Sequence, residues 1–210
     1  MPSGDVLSIK TYEMKGAGEK KVYIQANIHG PELTGILVVK KLIEFFKKNK
    51  GNFSEMILVP SCNPMGLNSQ FIGQQTGYVN HLTGKNWNRI YEDLSKEIKL
   101  KSKVSLTKFS SLLFNQLEKN LAKVSNTESK LALTLQKLSF NADIVIDLHT
   151  AWGRAPHYVY CYPQQIEGAK KFAAKNIRLL DPNDFYGVFD EAQLFPYFKF
   201  QKQISDFELS

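Results

Sequence analysis

Two of the four histidines in this chain stand where an apolar run gives way to a loop. His29 follows segment 20–28 (KKVYIQANI), and only Gly30-Pro31 separates it from Glu32. An imidazole and a carboxylate at that spacing across a turn can converge on one ion, and both are suitable zinc ligands. Taken alone, the pair equally describes a surface histidine followed by a glutamate in a first helical turn, where the macrodipole favours an acid. His149 changes the balance, because it closes 141–149 (NADIVIDLH) in the same way. Two histidines and one glutamate leave the fourth position of a tetrahedral zinc site for water, the arrangement of catalytic rather than structural sites. Asp147 shares a strand face with His149. It is either a partner for the outer nitrogen of that ring or an acid facing solvent.

A second cluster is NWNR at 86–89. A guanidinium grips a carboxylate through two parallel hydrogen bonds, and an adjacent amide can complete the cradle. The chain has three arginines, Arg89, Arg154 and Arg178, so Asn88-Arg89 at the end of a polar stretch points to a bound carboxylate. The competing account pairs Arg89 with Glu92 or Asp93.

The elements that must position these residues can be read from periodicity. Segments 5–13 and 20–28 read as strands, rich in β-branched and aromatic residues. Apolar residues at helical spacing fill 33–50, with Pro31 near the start and Gly51 past the end. Segment 55–60 is a short apolar strand, so strand, helix and strand form a parallel crossover. Residues 61–90, rich in Asn, Gly, Gln and Pro, read as a long loop of the kind that carries function. Helical spacing returns over 91–139, broken near Ser125-Asn126. Strands follow at 141–149 and 158–162, then a helix from about 164 to 177. His29 and His149 thus fall at the carboxyl ends of strands, where open α/β sheets gather their ligands.

At 210 residues, 43% hydrophobic and 22% charged, the chain suits a single domain, 1–210, with a core that needs no disulfides. Cys62 and Cys161 form no CxxC pair, which points to a reducing compartment. No run approaches the ~18 apolar residues of a membrane span, and the N-terminus lacks the pattern of a secretory signal. These features lead us to expect a cytoplasmic protein without a membrane partner. The net charge of +7 comes mostly from lysines scattered over helical segments. Base readout leans on arginine, so no nucleic-acid partner is expected.

The ordered set HGPE (29–32), PSCNPMGLN (60–68), GKNWNR (84–89) and DLHT (147–150) resembles the succinylglutamate desuccinylase/aspartoacylase family, relatives of the zinc carboxypeptidases. The resemblance implies a zinc carboxypeptidase-like, three-layer α/β fold with a mixed, largely parallel sheet flanked by helices. It implies one Zn2+ per chain held by His29, Glu32 and His149, and a substrate carboxylate held by Asn88 and Arg89. NPMG at 63–66 matches a turn that shapes the site. Two departures stand out. The family has an arginine shortly before its Asn-Arg pair, polarising the scissile carbonyl. Here Tyr78 and His81 stand nearest that place, with Arg154 or Lys85 as substitutes. The family's general base is a glutamate well beyond the last zinc-binding histidine. Glu208 in DFELS (206–210) is the candidate, with Glu191 a weaker one. The same comparison implies a chain incomplete at its C-terminus.

The resulting expectation is a zinc-dependent hydrolase of an N-acyl amino acid or similar small carboxylate-bearing substrate, acting through a metal-activated water. A carboxypeptidase-like peptidase or another small amide or ester hydrolase is the alternative within the class. A non-catalytic relative that binds zinc or an acidic ligand is the alternative outside it.

Overall fold

A computed structural model describes residues 6–49, 53–151, 153 and 156–207. Its first half contains β1 (Tyr12–Met14), β2 (Gly18–Ala26), α1 (Thr34–Lys48), β3 (Ser54–Val59), the single turn α2 (Pro64–Leu67) and the short strands β4 (Gln70–Phe71) and β5 (Gln74–Gln75). The second half contains β6 (Val104–Ser105), α3 (Leu106–Lys123), α4 (Thr127–Ser139), β7 (Ile144–Leu148), β8 (Tyr158–Cys161), α5 (Ile166–Lys170), β9 (Asn176–Leu179), α6 (Phe189–Phe200) and β10 (Ile204–Ser205).

The main sheet has the order β1-β3-β2-β7. β2 runs parallel to both β3 and β7, with Ile24 opposite Leu58 and Ile146, while β1 is antiparallel to β3. The sheet is therefore mixed and largely parallel. Side chains alternate along each strand, and both faces of β2 are covered. Val22, Ile24 and Ala26 pack with Met56 and Leu58 against Val39 and Ile43 of α1. On the opposite face, Tyr23, Ile57 and Val59 meet Leu131 and Leu135 of α4 and Phe189 and Ala192 of α6. A third cluster joins Phe109, Leu113 and Leu117 of α3 to Leu133 and Phe200. Helix, sheet and helix thus form the three layers expected from the sequence.

One close approach sets the site. A Cβ on Gly35 would stand 2.8 Å from Ala26 Cβ and 3.3 Å from Leu148 Cβ. The missing side chain lets the start of α1 settle against the carboxyl ends of β2 and β7, where His29 and His149 emerge.

Some boundaries differ from expectation. β1 spans Tyr12–Met14 rather than 5–13, and α1 starts at Thr34, leaving Glu32 in the preceding turn. No helix forms over 91–103, although Leu94 is buried there; the side chain of Asp93 accepts hydrogen bonds from the Ser95 amide and hydroxyl and turns the chain instead. The helix expected over 164–177 stops at Lys170, and Ala173 adopts a left-handed φ of 52° before β9. β8 and β9 pair with each other as a separate parallel ribbon. Among the described residues no helix is long and apolar enough to cross a membrane.

Gly35→Val should destabilise the chain by about 2 kcal/mol through overpacking against β2. Gly168 has no neighbour within 4 Å of where a Cβ would lie, so Gly168→Ala should be neutral or stabilising by up to about 1 kcal/mol. Urea denaturation of both variants checks the pair.

Candidate metal centre

The turn that carries His29 and Glu32 is built by buried asparagines. Asn27 ends β2 with a left-handed φ of 68°. Its Nδ2 donates to the carbonyls of His29 at 2.9 Å and Gly30 at 3.0 Å, while its Oδ1 accepts from Ser61 Oγ. Asn63, capping α2, donates to the Ile28 carbonyl at 2.7 Å. Gly30 donates its amide to the Gly77 carbonyl at 2.9 Å. A Cβ on either Gly30 or Gly77 would come within 1.9 Å of the Gly66 oxygen. Glycine is required here for contact between three backbone segments.

Within this frame His29 Nδ1 lies 2.9 Å from Glu32 Oε1, and His149 Nδ1 lies 2.9 Å from Glu32 Oε2. Donor atoms of the three residues lie within 4.8 Å of one another. His29 and Glu32 are buried, while the His149 side chain is about one-third exposed, so the group opens to solvent on one side.

The outer edges of the rings assign their protons. Asn86 Oδ1 accepts the Asn88 amide at 2.7 Å and lies 3.0 Å from His29 Nε2. Its identity as an acceptor requires a hydrogen on that nitrogen. Asp147 Oδ2, 3.0 Å from His149 Nε2, imposes the same on the second ring. Asp147 is thus the outer partner of His149 rather than a solvent-facing acid. Each Nδ1 is left facing a carboxylate oxygen, and a lone pair in that position is repelled unless a cation lies between. That cation is a proton or a metal ion. Imidazole nitrogens with their outer N–H bonded to an amide or carboxylate are the usual setting of zinc ligands, so these residues fit zinc.

The charge balance agrees. Burial alone would raise the Glu32 carboxyl, but hydrogen bonds from His149 and His29 and the Thr150 amide hold it at about 2. Burial opposes the charge on His149, yet Asp147 and Glu32 together lift it to about 11.

Asn88 reaches the same centre. Its Oδ1 accepts the Phe189 amide at 3.0 Å, which leaves Nδ2 3.4 Å from His149 Nε2. Arg89 is exposed beside it. Among the described residues Arg89 makes no ion pair; Glu92 accepts from Asn120, and Asp93 pairs with Lys199 at 2.9 Å. Tyr78 lies beside His29, with ring centroids 5.0 Å apart. His81 is exposed and contacts the Thr76 carbonyl, and Lys85 pairs with Glu128, so neither stands in for the absent arginine. Glu191 is engaged in structure: its Oε2 accepts the Tyr186 and Val188 amides and caps α6. Glu208 and Arg154 lie outside the described residues.

Neither the role of Asn86, within NWNR, nor the place of Asp190 is marked by motif or spacing in the sequence. Asp190 lines a cavity of about 400 Å³ with Asp147, Tyr162 and Phe189. Burial pushes its carboxyl up to about 6.

A helix-flanked mixed sheet with a His-Glu-His group at its strand ends is the architecture of zinc carboxypeptidase-like proteins. A family model, the succinylglutamate desuccinylase/aspartoacylase catalytic domain, matches residues 18–181, and the chain belongs to this family. A family protein from Shewanella amazonensis is similar at 31% identity and TM-score 0.82, over 96% of this chain and 57% of that one. Another from Shewanella frigidimarina gives 28% identity and TM-score 0.83 over the same shares, 96% and 57%. This chain therefore spans 57% of the length of each. A metallo-carboxypeptidase from Pseudomonas aeruginosa shares the fold, at 16% identity and TM-score 0.50 over 93% of this chain and 49% of that one. No match is found among curated proteins.

Glu32 and His149 make the stability of the metal-free chain depend on pH, together with Asp190. Glu32 ionises at about 2 against an ordinary 4.5, so its contribution is complete above 4.5 and is lost as pH falls towards 2. His149, at about 11 against 6.5, contributes fully below 6.5 and less as pH climbs towards 11. The raised carboxyl of Asp190 contributes below 3.8 and loses that contribution as pH climbs through about 6, so thermal melts in chelator should peak at pH ~4 and fall on either side. Glu32→Gln should flatten the acid limb; an unchanged limb would remove Glu32 from this balance.

Proposed function

We propose that this chain is the catalytic part of a zinc hydrolase that cleaves the amide bond of an N-acyl amino acid or similar small carboxylate-bearing substrate. The observation that carries the reading is the facing of both histidine Nδ1 atoms onto one buried carboxylate, with both outer nitrogens already bonded. His29, Glu32 and His149 would hold one zinc ion per chain. Zinc, when bound, polarises a carbonyl and brings the acidity of water near neutrality.

Around that centre the chain's own residues divide the remaining work. Arg89 receives the substrate carboxylate bidentately, supported by its exposure and by the other engagements of Glu92 and Asp93. Asn88 Nδ2, steadied through Phe189, orients the same group. Arg154 would add a second cation, and Glu208 would move the proton as general base. Family membership favours small carboxylate-bearing substrates over peptides. Buried, unpaired Cys62 and Cys161 agree with work in the cytoplasm.

The test is zinc stoichiometry of the purified chain beside a His29→Ala/His149→Ala double variant, with turnover of N-acyl amino acids followed in parallel. The reading predicts about one zinc per chain, lost in the double variant. Arg89→Ala should raise KM by roughly 10- to 100-fold, the worth of a charged hydrogen-bonded contact, with kcat less affected. A folded wild-type chain without zinc would refute the reading. An unchanged KM would remove Arg89 from substrate binding.

A further inference from the structure

Residues 78–87 form an irregular hairpin against the metal centre. Its arms are tied by the bridge between Val79 and Asn86 and by the Trp87 amide donating to the Tyr78 carbonyl at 3.1 Å. Both arms touch His29: Tyr78 packs on the ring, and Asn86 takes the Nε2 hydrogen. The far end turns through Asn80–Lys85, closed by bonds of 2.8 Å from the Asn80 amide to the Lys85 carbonyl and 2.7 Å from the Gly84 amide to the Asn80 carbonyl. Leu82 at its tip is 93% exposed, so little apolar packing holds it.

What does hold it is one side chain. Glu128, in the first turn of α4, is 6% exposed, and its side chain is bonded to residues of the Asn80–Lys85 turn. Its Oε1 accepts from Asn80 Nδ2 at 2.8 Å and from the Thr83 hydroxyl, and its Oε2 faces Lys85 Nζ at 3.5 Å. The three donors come from three positions of the same turn. A buried carboxylate so loaded is costly to deprive of its partners, and it fixes where the turn can lie. We propose that Glu128 is a positioning residue for the metal centre, anchoring the 78–87 hairpin to α4 so that Asn86 and Tyr78 hold the His29 ring with Nδ1 inward. The proposal deepens the zinc reading given above and rests on it for its metal-binding consequence.

The test uses the metal-free, 15N-labelled chain to follow solvent exchange of the His29 Nε2 hydrogen, and then measures Co2+ affinity and the visible spectrum of the Co2+-loaded protein. In Glu128→Ala the ring hydrogen should exchange at least about tenfold faster, the Co2+ bands should shift, and affinity should fall on the order of 10-fold, the low end of what loss of an outer partner costs a metal site. Glu128→Gln keeps an oxygen for Asn80 and Thr83 and loses only the pairing with exposed Lys85. It should stay within about fivefold of wild type. Asn126→Ala controls for a weakened helix start, because Asn126 caps α4 through the Ser129 amide at 2.8 Å without touching the hairpin. It should leave the ring hydrogen protected. Should Glu128→Ala fail to fold, the Asn80→Ala/Thr83→Val double variant removes the same contacts from the hairpin side and should give the same exchange. Unchanged ring exchange on removal of these contacts, or Asn126→Ala reproducing the loss, would overturn the proposal. Failure of wild type to bind Co2+ would count against the zinc reading alone, since ring exchange in the metal-free chain still decides whether Glu128 positions His29.

Discussion

A carboxylate withdrawn from water has to be balanced by positive charge or be protonated. Glu32 is withdrawn in this way, and the balance comes from two imidazoles brought in from different strands. Its Oε1 faces His29 across the turn after β2, and its Oε2 faces His149 at the end of β7. Parallel pairing of β2 with β7 sets the two strand ends side by side. The space at Gly35 lets α1 bring Glu32 between them. Every other feature of the centre follows from keeping that three-way contact in register.

The rings are held from behind. Asn86 and Asp147 occupy the outer nitrogens, so each Nδ1 is turned towards Glu32 in a fixed direction. These two partners differ in charge, and the consequence is visible: His149, between Asp147 and Glu32, is held strongly in its charged form. A positive charge therefore suits this point of the molecule, and His29, Glu32 and His149 could hold a metal ion there. Asn88 then links the centre to α6 through Phe189. The same helix closes the sheet face that β2 and β3 present to α4, so packing of the layer and placement of Asn88 are one event.

Much of this was legible in the residues. β2, α1, β3 and β7 announce themselves by period, and the break between α3 and α4 falls at Asn126, which caps α4 through Ser129. His29 and His149 could be paired because each stands just past a strand end, with Glu32 three residues beyond His29. What failed had physical reasons. Leu94 and Ile98 have helical spacing, yet their burial is against α3 and α6 and the backbone turns irregularly between them. The Ala-rich stretch after α5 favours helix locally, but the chain passes through a left-handed Ala173 and pairs with β8 instead. α6 has Pro196 in its interior and buried residues all around, so no amphipathic stripe marks it. Asn86 was hidden because its role depends on a hairpin whose register only the folded chain reveals. Asp190 likewise meets Asp147 only through tertiary packing.

The most direct measurement is X-ray absorption at the zinc edge of the zinc-loaded chain. Two imidazole nitrogens and a carboxylate oxygen should appear at about 2.0–2.2 Å, with no sulfur in the coordination sphere. A sulfur shell near 2.3 Å, or a single imidazole, would place the ion elsewhere and contradict the account of Glu32 between His29 and His149.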